Sequence, residues 1–206
     1  MTSAYPDLVQ NLNMRGWGKM RRHLATRAAA PPLPVYDAFH AIIHQQINLL
    51  ERMSDDEYIF RCPTLHGTTG GHIRHALDHL RRSVDVPQDG VIHYDIRDRL
   101  TQIETNREAA LVEMDAIQTF ASRVADTTSL SKEVQAAFRL SAEGDEVALR
   151  STIEREMAFA VHHAIHHHAL IKVIMTSHFP HVPLPPAFGV APSTVHYEAH
   201  LAKPVP

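Results

Sequence analysis

Histidine is the residue type whose number and spacing in this sequence point to chemistry. The chain has 17 histidines in 206 residues, and eight of them fall within residues 72–79 and 162–168. Neutral imidazole is a good ligand for zinc, iron, nickel and copper. Two histidines four residues apart on a helix lie one turn apart on one face, so they can chelate one ion. The two windows therefore predict a divalent metal site.

The second window contains such a pair. His163 and His167 are four residues apart, and Glu156 lies on the same helical stripe two turns earlier. His162 and His166 form a parallel stripe beside it. Two ligands are not enough for a catalytic site, which typically has three protein ligands and an open position for water or substrate. A third histidine must therefore come from another helix.

The first window supplies candidates for that third ligand. His72, His75 and His79 are spaced by three and then four residues, which places them within an arc of roughly 60° on one helical face. His75 is the first choice as third ligand and His79 is the second.

Several side chains near these windows could move a proton at the site. Glu156, His79 and His166 are the candidate proton carriers in catalysis. Asp78 and Glu156 could also orient an imidazole through its second nitrogen, act as general base on a metal-bound water, or ligate the metal directly. Glu156 is the better base candidate because it shares the stripe of His163.

The other histidines carry weaker signals. Asp37, His40 and His44 share one face of the first helix, which leaves a larger site or a second metal open. The remaining histidines singled out are expected to be solvated, and they are His23, His66, His93, His168, His178 and His181.

The elements that must position these residues are mostly helical. Apolar residues recur at helical spacing in four segments, approximately residues 35–53, 68–84, 105–124 and 151–176. Thr68 or Thr69 can cap the second helix, and capping boxes beginning at Thr105 and Ser151 open the third and fourth. Alternation of apolar and polar residues over 133–150 predicts a β-hairpin inserted before the last helix. Residues 54–67 are expected to form a loop.

The helices define a central domain with an extension at each end. Residues 1–34 are predicted to be an N-terminal extension, because proline-rich residues 31–34 cannot continue a helix. Residues 35–178 form the helical bundle. Residues 179–206 are rich in proline, so we expect an extended tail that packs on the bundle, with residues 188–197 as a candidate lid over the site.

Composition excludes several classes of partner. A net charge of -3 gives no basic field for a nucleic acid. The apolar runs fall short of the roughly 20 residues that span a bilayer, so no membrane association is expected. The single cysteine, Cys62, excludes a cysteine-based zinc cluster and fits a reducing compartment, so we expect a cytoplasmic location.

The two histidine segments together resemble a known family. Residues 71–79, Gly-His-Ile-Arg-His-Ala-Leu-Asp-His, and residues 163–167, His-Ala-Ile-His-His, resemble the DinB-like superfamily, which includes the YfiT-type proteins. The resemblance covers roughly residues 35–178. It implies an all-α four-helix bundle with a mononuclear site, made of one histidine from the second helix and a pair from the fourth. By position, His75, His163 and His167 match that site.

The resemblance also implies a range of activities. Members include thiol-dependent transferases, isomerases and metal-dependent hydrolases, so fold does not select the reaction. We expect a metal-dependent enzyme that acts on a small molecule, with zinc, iron or nickel bound. One alternative is a non-haem iron enzyme that activates oxygen. Another is a metal-binding or interaction protein without catalysis, in which a face of the bundle forms a homodimer.

Overall fold

The computed structural model describes residues 34–96, 101–127 and 130–201. These residues are mostly helical, with a small three-stranded sheet. The helices are α1 (Pro34–Leu50), α2 (Asp55–Ile59), α3 (Thr69–Val84), α4 (Arg107–Thr127), α5 (Ile153–His178) and α6 (Pro192–Leu201). The strands are β1 (Val91–His93), β2 (Glu133–Arg139) and β3 (Glu146–Thr152). The predicted N-terminal extension lies outside the described residues except for Pro34, which begins α1.

The four long helices pack against one another through their apolar stripes. α3 contacts α5 and α4, and α1 contacts the same two helices. The stripes carry residues at helical spacing that are almost completely buried, including Phe39, Ile43, Ile73, Leu77, Leu80, Met114, Ile117, Met157, Ala164 and Ile171. Within the described residues, no helix combines the length and apolar character that a membrane-spanning segment requires.

The helix termini confirm one predicted cap and correct two. Thr68 caps α3, as expected, because its hydroxyl accepts a hydrogen bond from the backbone N–H three residues later. The boxes placed on Thr105 and Ser151 are wrong by one residue. Asn106 and Thr152 instead accept the bond from the backbone N–H three residues later, at 3.1 and 3.3 Å. In each case two adjacent polar residues could serve as the N-cap, and the sequence spacing alone does not distinguish them.

The sheet contains the predicted hairpin and one further strand. β2 and β3 pair antiparallel, with Glu133 opposite Thr152 and Arg139 opposite Glu146, which confirms the hairpin. β1 pairs with β2 in parallel and was not predicted. Three residues are too few to show an alternating pattern, and a parallel partner distant in sequence gives no local signal.

Two short helices also differ from the sequence-based expectation. α2 lies within the predicted loop 54–67 and is opened by a capping box of Ser54 and Glu57. α6 interrupts the tail that was expected to be extended throughout. Its first residue is Pro192, and proline is favoured in the first turn of a helix even though it ends a helix elsewhere.

Candidate metal centre

α3 and α5 bring the predicted ligands together. The ligand nitrogens of His75, His163 and His167 all lie within 4.8 Å of one another. The Nε2 atoms of His163 and His167 are 3.2 Å apart. The ring of His75, from the other helix, has its centroid 4.9 Å from that of His163 and 4.6 Å from that of His167. In the part of the chain that the structure describes, these three histidines are the group of possible ligands whose geometry could hold a metal ion.

The start of α3 fixes the position of its histidines. Gly70 lies against the backbone of the turn that precedes α4, because a Cβ at this position would be 2.1 Å from the carbonyl oxygen of Glu104. Only glycine permits this close approach. Together with the Thr68 cap, it sets the first turn of α3 and therefore the direction in which His75 points, about one and a half turns later.

Burial keeps the imidazole of His167 neutral. The side chain is 8% exposed, and its pKa is lowered to about 3. Burial is the largest cause, followed by the neighbouring imidazoles of His163, His72, His166 and His79. At neutral pH the ring therefore carries a free lone pair on one nitrogen, which is the form that binds a metal.

His72 contacts the other side of the His167 ring. Its Nδ1 lies 3.1 Å from Nδ1 of His167, while its buried Nε2 has no hydrogen-bond partner. Gly67 leaves room for this ring, since a Cβ there would be 3.0 Å from Nε2 of His72. If His167 ligates through Nε2, its Nδ1–H donates to His72. Such a bond orients a ligating imidazole.

The aromatic rings of His79 and Tyr94 stack beside the three histidines. The ring of His79 stacks on His163 with centroids 3.8 Å apart, and Tyr94 stacks on the other face of His79 at 5.0 Å. Nδ1–H of His79 donates to the carbonyl oxygen of His75 at 3.1 Å. His79 is therefore a neighbour of the candidate ligands and not a member of the group of three. Tyr94 was missed because it follows β1, whose pairing is not visible in the sequence.

Glu156 lies near Tyr94. It is completely buried, accepts a hydrogen bond from the Ser151 hydroxyl and pairs with Arg155 at 2.9 Å. The pKa of Tyr94 is raised by burial first and then by the nearby carboxylate of Glu156. The structure therefore places Glu156 next to Tyr94 and does not include it in the metal-ligating group.

His166 lies on the exposed side of the site. It is solvent-exposed, and its ring centroid is 5.3 Å from that of His167 and 6.4 Å from that of His163. Its position on the stripe next to the pair of His163 and His167 places His166 at the edge of the centre.

Asp78, the other acidic candidate, accepts a hydrogen bond from Arg74 at 2.8 Å.

His168 corrects the expectation of a solvated side chain. It is completely buried, stacks on Phe188 at 4.2 Å, and has no hydrogen-bond partner at either ring nitrogen. Burial lowers its pKa to about 3. Gly189 makes this cover possible, because a Cβ there would be 2.7 Å from the backbone of Ala169. The buried part of the candidate lid thus packs on His168 and Ala169, and α6, which follows, has no buried residue.

The first helix does not provide a second centre. Asp37, His40 and His44 do not form a metal-ligating group in the described part of the chain. A cavity of about 650 Å³ lies at the end of the sheet, lined by residues that include Gly90, Gln135 and Arg150. None of the three candidate ligands lines this cavity.

No family model, curated protein or solved structure matches this chain. Function is therefore inferred from the geometry of the histidines.

Proposed function

We propose that the chain is a metal-dependent enzyme that acts on a small molecule through a mononuclear site of His75, His163 and His167. The observation that carries this proposal is the convergence of three imidazole nitrogens from two helices within 4.8 Å. Three nitrogen ligands with further positions open are typical of catalytic sites, whereas structural sites are closed by four protein ligands.

The spacing of the nitrogens supports a fit to a transition metal. In a tetrahedral site with metal–nitrogen bonds of about 2.1 Å, neighbouring nitrogens are about 3.4 Å apart. The Nε2 atoms of His163 and His167 are 3.2 Å apart, which is close to that value. An all-imidazole set suits zinc, iron or nickel and is a poor match for magnesium or calcium, which prefer oxygen.

We further propose that the helical part is a DinB-like bundle. Support comes from the mutual packing of α1, α3, α4 and α5, and from the origin of the candidate ligands. One histidine lies on the second long helix and a pair lies on the last, as the resemblance implies.

Several side chains would serve such a reaction. A bound divalent ion would polarise a substrate or lower the pKa of a water, so hydrolysis and thiol transfer are both compatible with this site. His166 is exposed at the edge of the centre, where it can exchange protons with solvent. The ring of His79 stacks on that of His163, and Glu156 lies near Tyr94, which also stacks on His79.

Metal content tests the proposal. Protein purified without nickel resin should carry about one equivalent of transition metal by elemental analysis, and a His163→Ala/His167→Ala variant should carry none. A His196→Ala/His200→Ala variant removes an exposed pair of the same spacing on α6 and should keep the metal. If the wild type holds no more metal than the His163→Ala/His167→Ala variant, even after reconstitution, the proposal is wrong.

A further inference from the structure

The outer edge of β3 is open. The sheet has the order β1-β2-β3, so β2 is central, and in the part of the chain that the structure describes no strand pairs with the other side of β3. β3 is seven residues long, and four consecutive residues from Val147 to Arg150 are exposed. An open edge of this length is a template for pairing with another strand.

The direction of the backbone groups can be read from the other strands. Gln135 donates to Gly90, and Ala137 accepts from Tyr94, so these two residues direct their N–H and C=O groups to β1. The alternate residues of β2 then direct theirs to β3. Their partners in β3 are Val147 and Leu149. It follows that Glu146, Ala148 and Arg150 direct their backbone groups to the open edge.

The side chains of β3 are sorted onto two faces. Val147 and Leu149 lie on the same face as Phe138 and Ala136, their partners in β2, and they are 42% and 48% exposed. Glu146, Ala148 and Arg150 lie on the opposite face. The strand thus carries two half-exposed apolar side chains on one face and two opposite charges, symmetric about Ala148, on the other.

We propose that β3 pairs antiparallel with β3 of a second copy of this chain, about a two-fold axis at Ala148, so that the two sheets join into one of six strands. Glu146 then lies opposite the partner's Arg150 at both ends of the pairing. Val147 lies opposite the partner's Leu149 on the other face. The same surface is used by both copies, as two-fold symmetry requires.

The charges select this register. Pairings centred on Val147 or Leu149 also keep like faces together, but they place Arg150 opposite a glycine or an alanine. The pairing centred on Ala148 brings both opposite charges together. It also puts Glu146, Ala148 and Arg150, whose backbone groups point outward, directly opposite one another, so each can exchange backbone hydrogen bonds.

Substitutions that reverse or exchange the charges of Glu146 and Arg150 test the proposal. Wild-type protein should sediment at twice the mass of one chain at micromolar concentration. Arg150→Glu places like charges opposite each other twice and should give a monomer, as should Glu146→Arg. The double variant Glu146→Arg/Arg150→Glu restores opposite charges and should dimerise again. An equimolar mixture of the two single variants should form a heterodimer, because each supplies the charge that the other has lost.

A second variant acts on the backbone. Ala148→Pro removes an N–H that points to the open edge without removing a bond to β2, and proline is tolerated on such edges. It should give a folded monomer with an unchanged circular dichroism spectrum. Glu146 also pairs with His93 at 2.6 Å, so Arg150→Glu is the cleaner single substitution. A wild-type monomer, or a dimer that persists in both Arg150→Glu and Ala148→Pro, would overturn the proposal. Loss of metal from the centre would leave these outcomes unchanged, since the edge is distinct from it.

Discussion

His163 and His167 on α5 and His196 and His200 on α6 are both pairs of histidines four residues apart. Their ring centroids are similarly close, at 4.7 Å in α5 and 4.1 Å in α6. The pair on α5 faces α3, which brings His75 to it, while α6 has no buried residue. Helical spacing thus supplies two imidazoles on one face, and helix packing has to supply the third.

His167 and His168 are neighbours in sequence that lie in different surroundings. Both are buried, and both have a pKa lowered to about 3. His167 is surrounded by other imidazoles, whereas His168 contacts Phe188 and has no polar partner. A low pKa therefore reports burial in both cases, and the convergence of ligand atoms distinguishes the candidate metal ligand from the packed side chain.

Removing the third imidazole should have the largest effect on metal binding. In His75→Ala only the two candidate ligands of α5 remain, so the site resembles the pair on α6, which has no third imidazole in the described part of the chain. We expect the metal affinity to fall by more than about 100-fold, or roughly 3 kcal/mol, because losing a ligand costs more than losing a residue that orients one. Competition with a chromophoric chelator measures this. An affinity within threefold of wild type would remove His75 from the site.

Acid should destabilise the metal-free protein through His168. Its pKa is about 3 in the folded chain and 6.5 ordinarily, so the unfolded state binds the proton more readily. The stability that this group contributes is present above pH 6.5 and is lost as the pH falls toward 3. Between pH 7.5 and 5 the loss is about 2 kcal/mol.

Denaturant unfolding at these two pH values checks the effect of His168. His168→Phe keeps an aromatic ring against Phe188 and removes the titration, so its free energy of unfolding should fall by about 2 kcal/mol less than that of wild type. An equal loss in both proteins would contradict the assignment to His168.

Disturbing His72 should weaken metal binding moderately. His72→Ala removes the contact with Nδ1 of His167, and Gly67→Ala places a Cβ 3.0 Å from Nε2 of His72, which must then shift. We expect each to reduce metal affinity by about 10-fold, the lower end for a residue that orients a ligand. In the double variant the two effects should not add, because both act through one contact. If the two losses in metal affinity add fully, Gly67 affects metal binding by a route other than its contact with His72.

The pair on α6 should have the smallest effect. His196→Ala/His200→Ala alters exposed side chains that support no packing, so the free energy of unfolding should change by less than about 0.5 kcal/mol. Thermal unfolding measures this. A loss above 1 kcal/mol would mean that α6 is bound to another surface in solution.

The helices were largely predictable because their signals are local. The 3.6-residue period placed α1, α3, α4 and α5 within a few residues of their observed bounds, and strand alternation placed the hairpin of β2 and β3. The short elements α2 and β1 and the helix α6 were missed. A strand of three residues carries no periodic signal, and its parallel partner lies 44 residues away.

The sequence by itself determined that His163 and His167 share a helical face and that His75 shares one with His72 and His79, because a helix fixes which residues point together. It did not determine which faces meet. Only the tertiary structure decided that Glu156 is buried behind Tyr94 and that the tail covers His168. Helical period is a property of the local backbone, whereas these contacts depend on residues far apart in sequence, which no local pattern encodes.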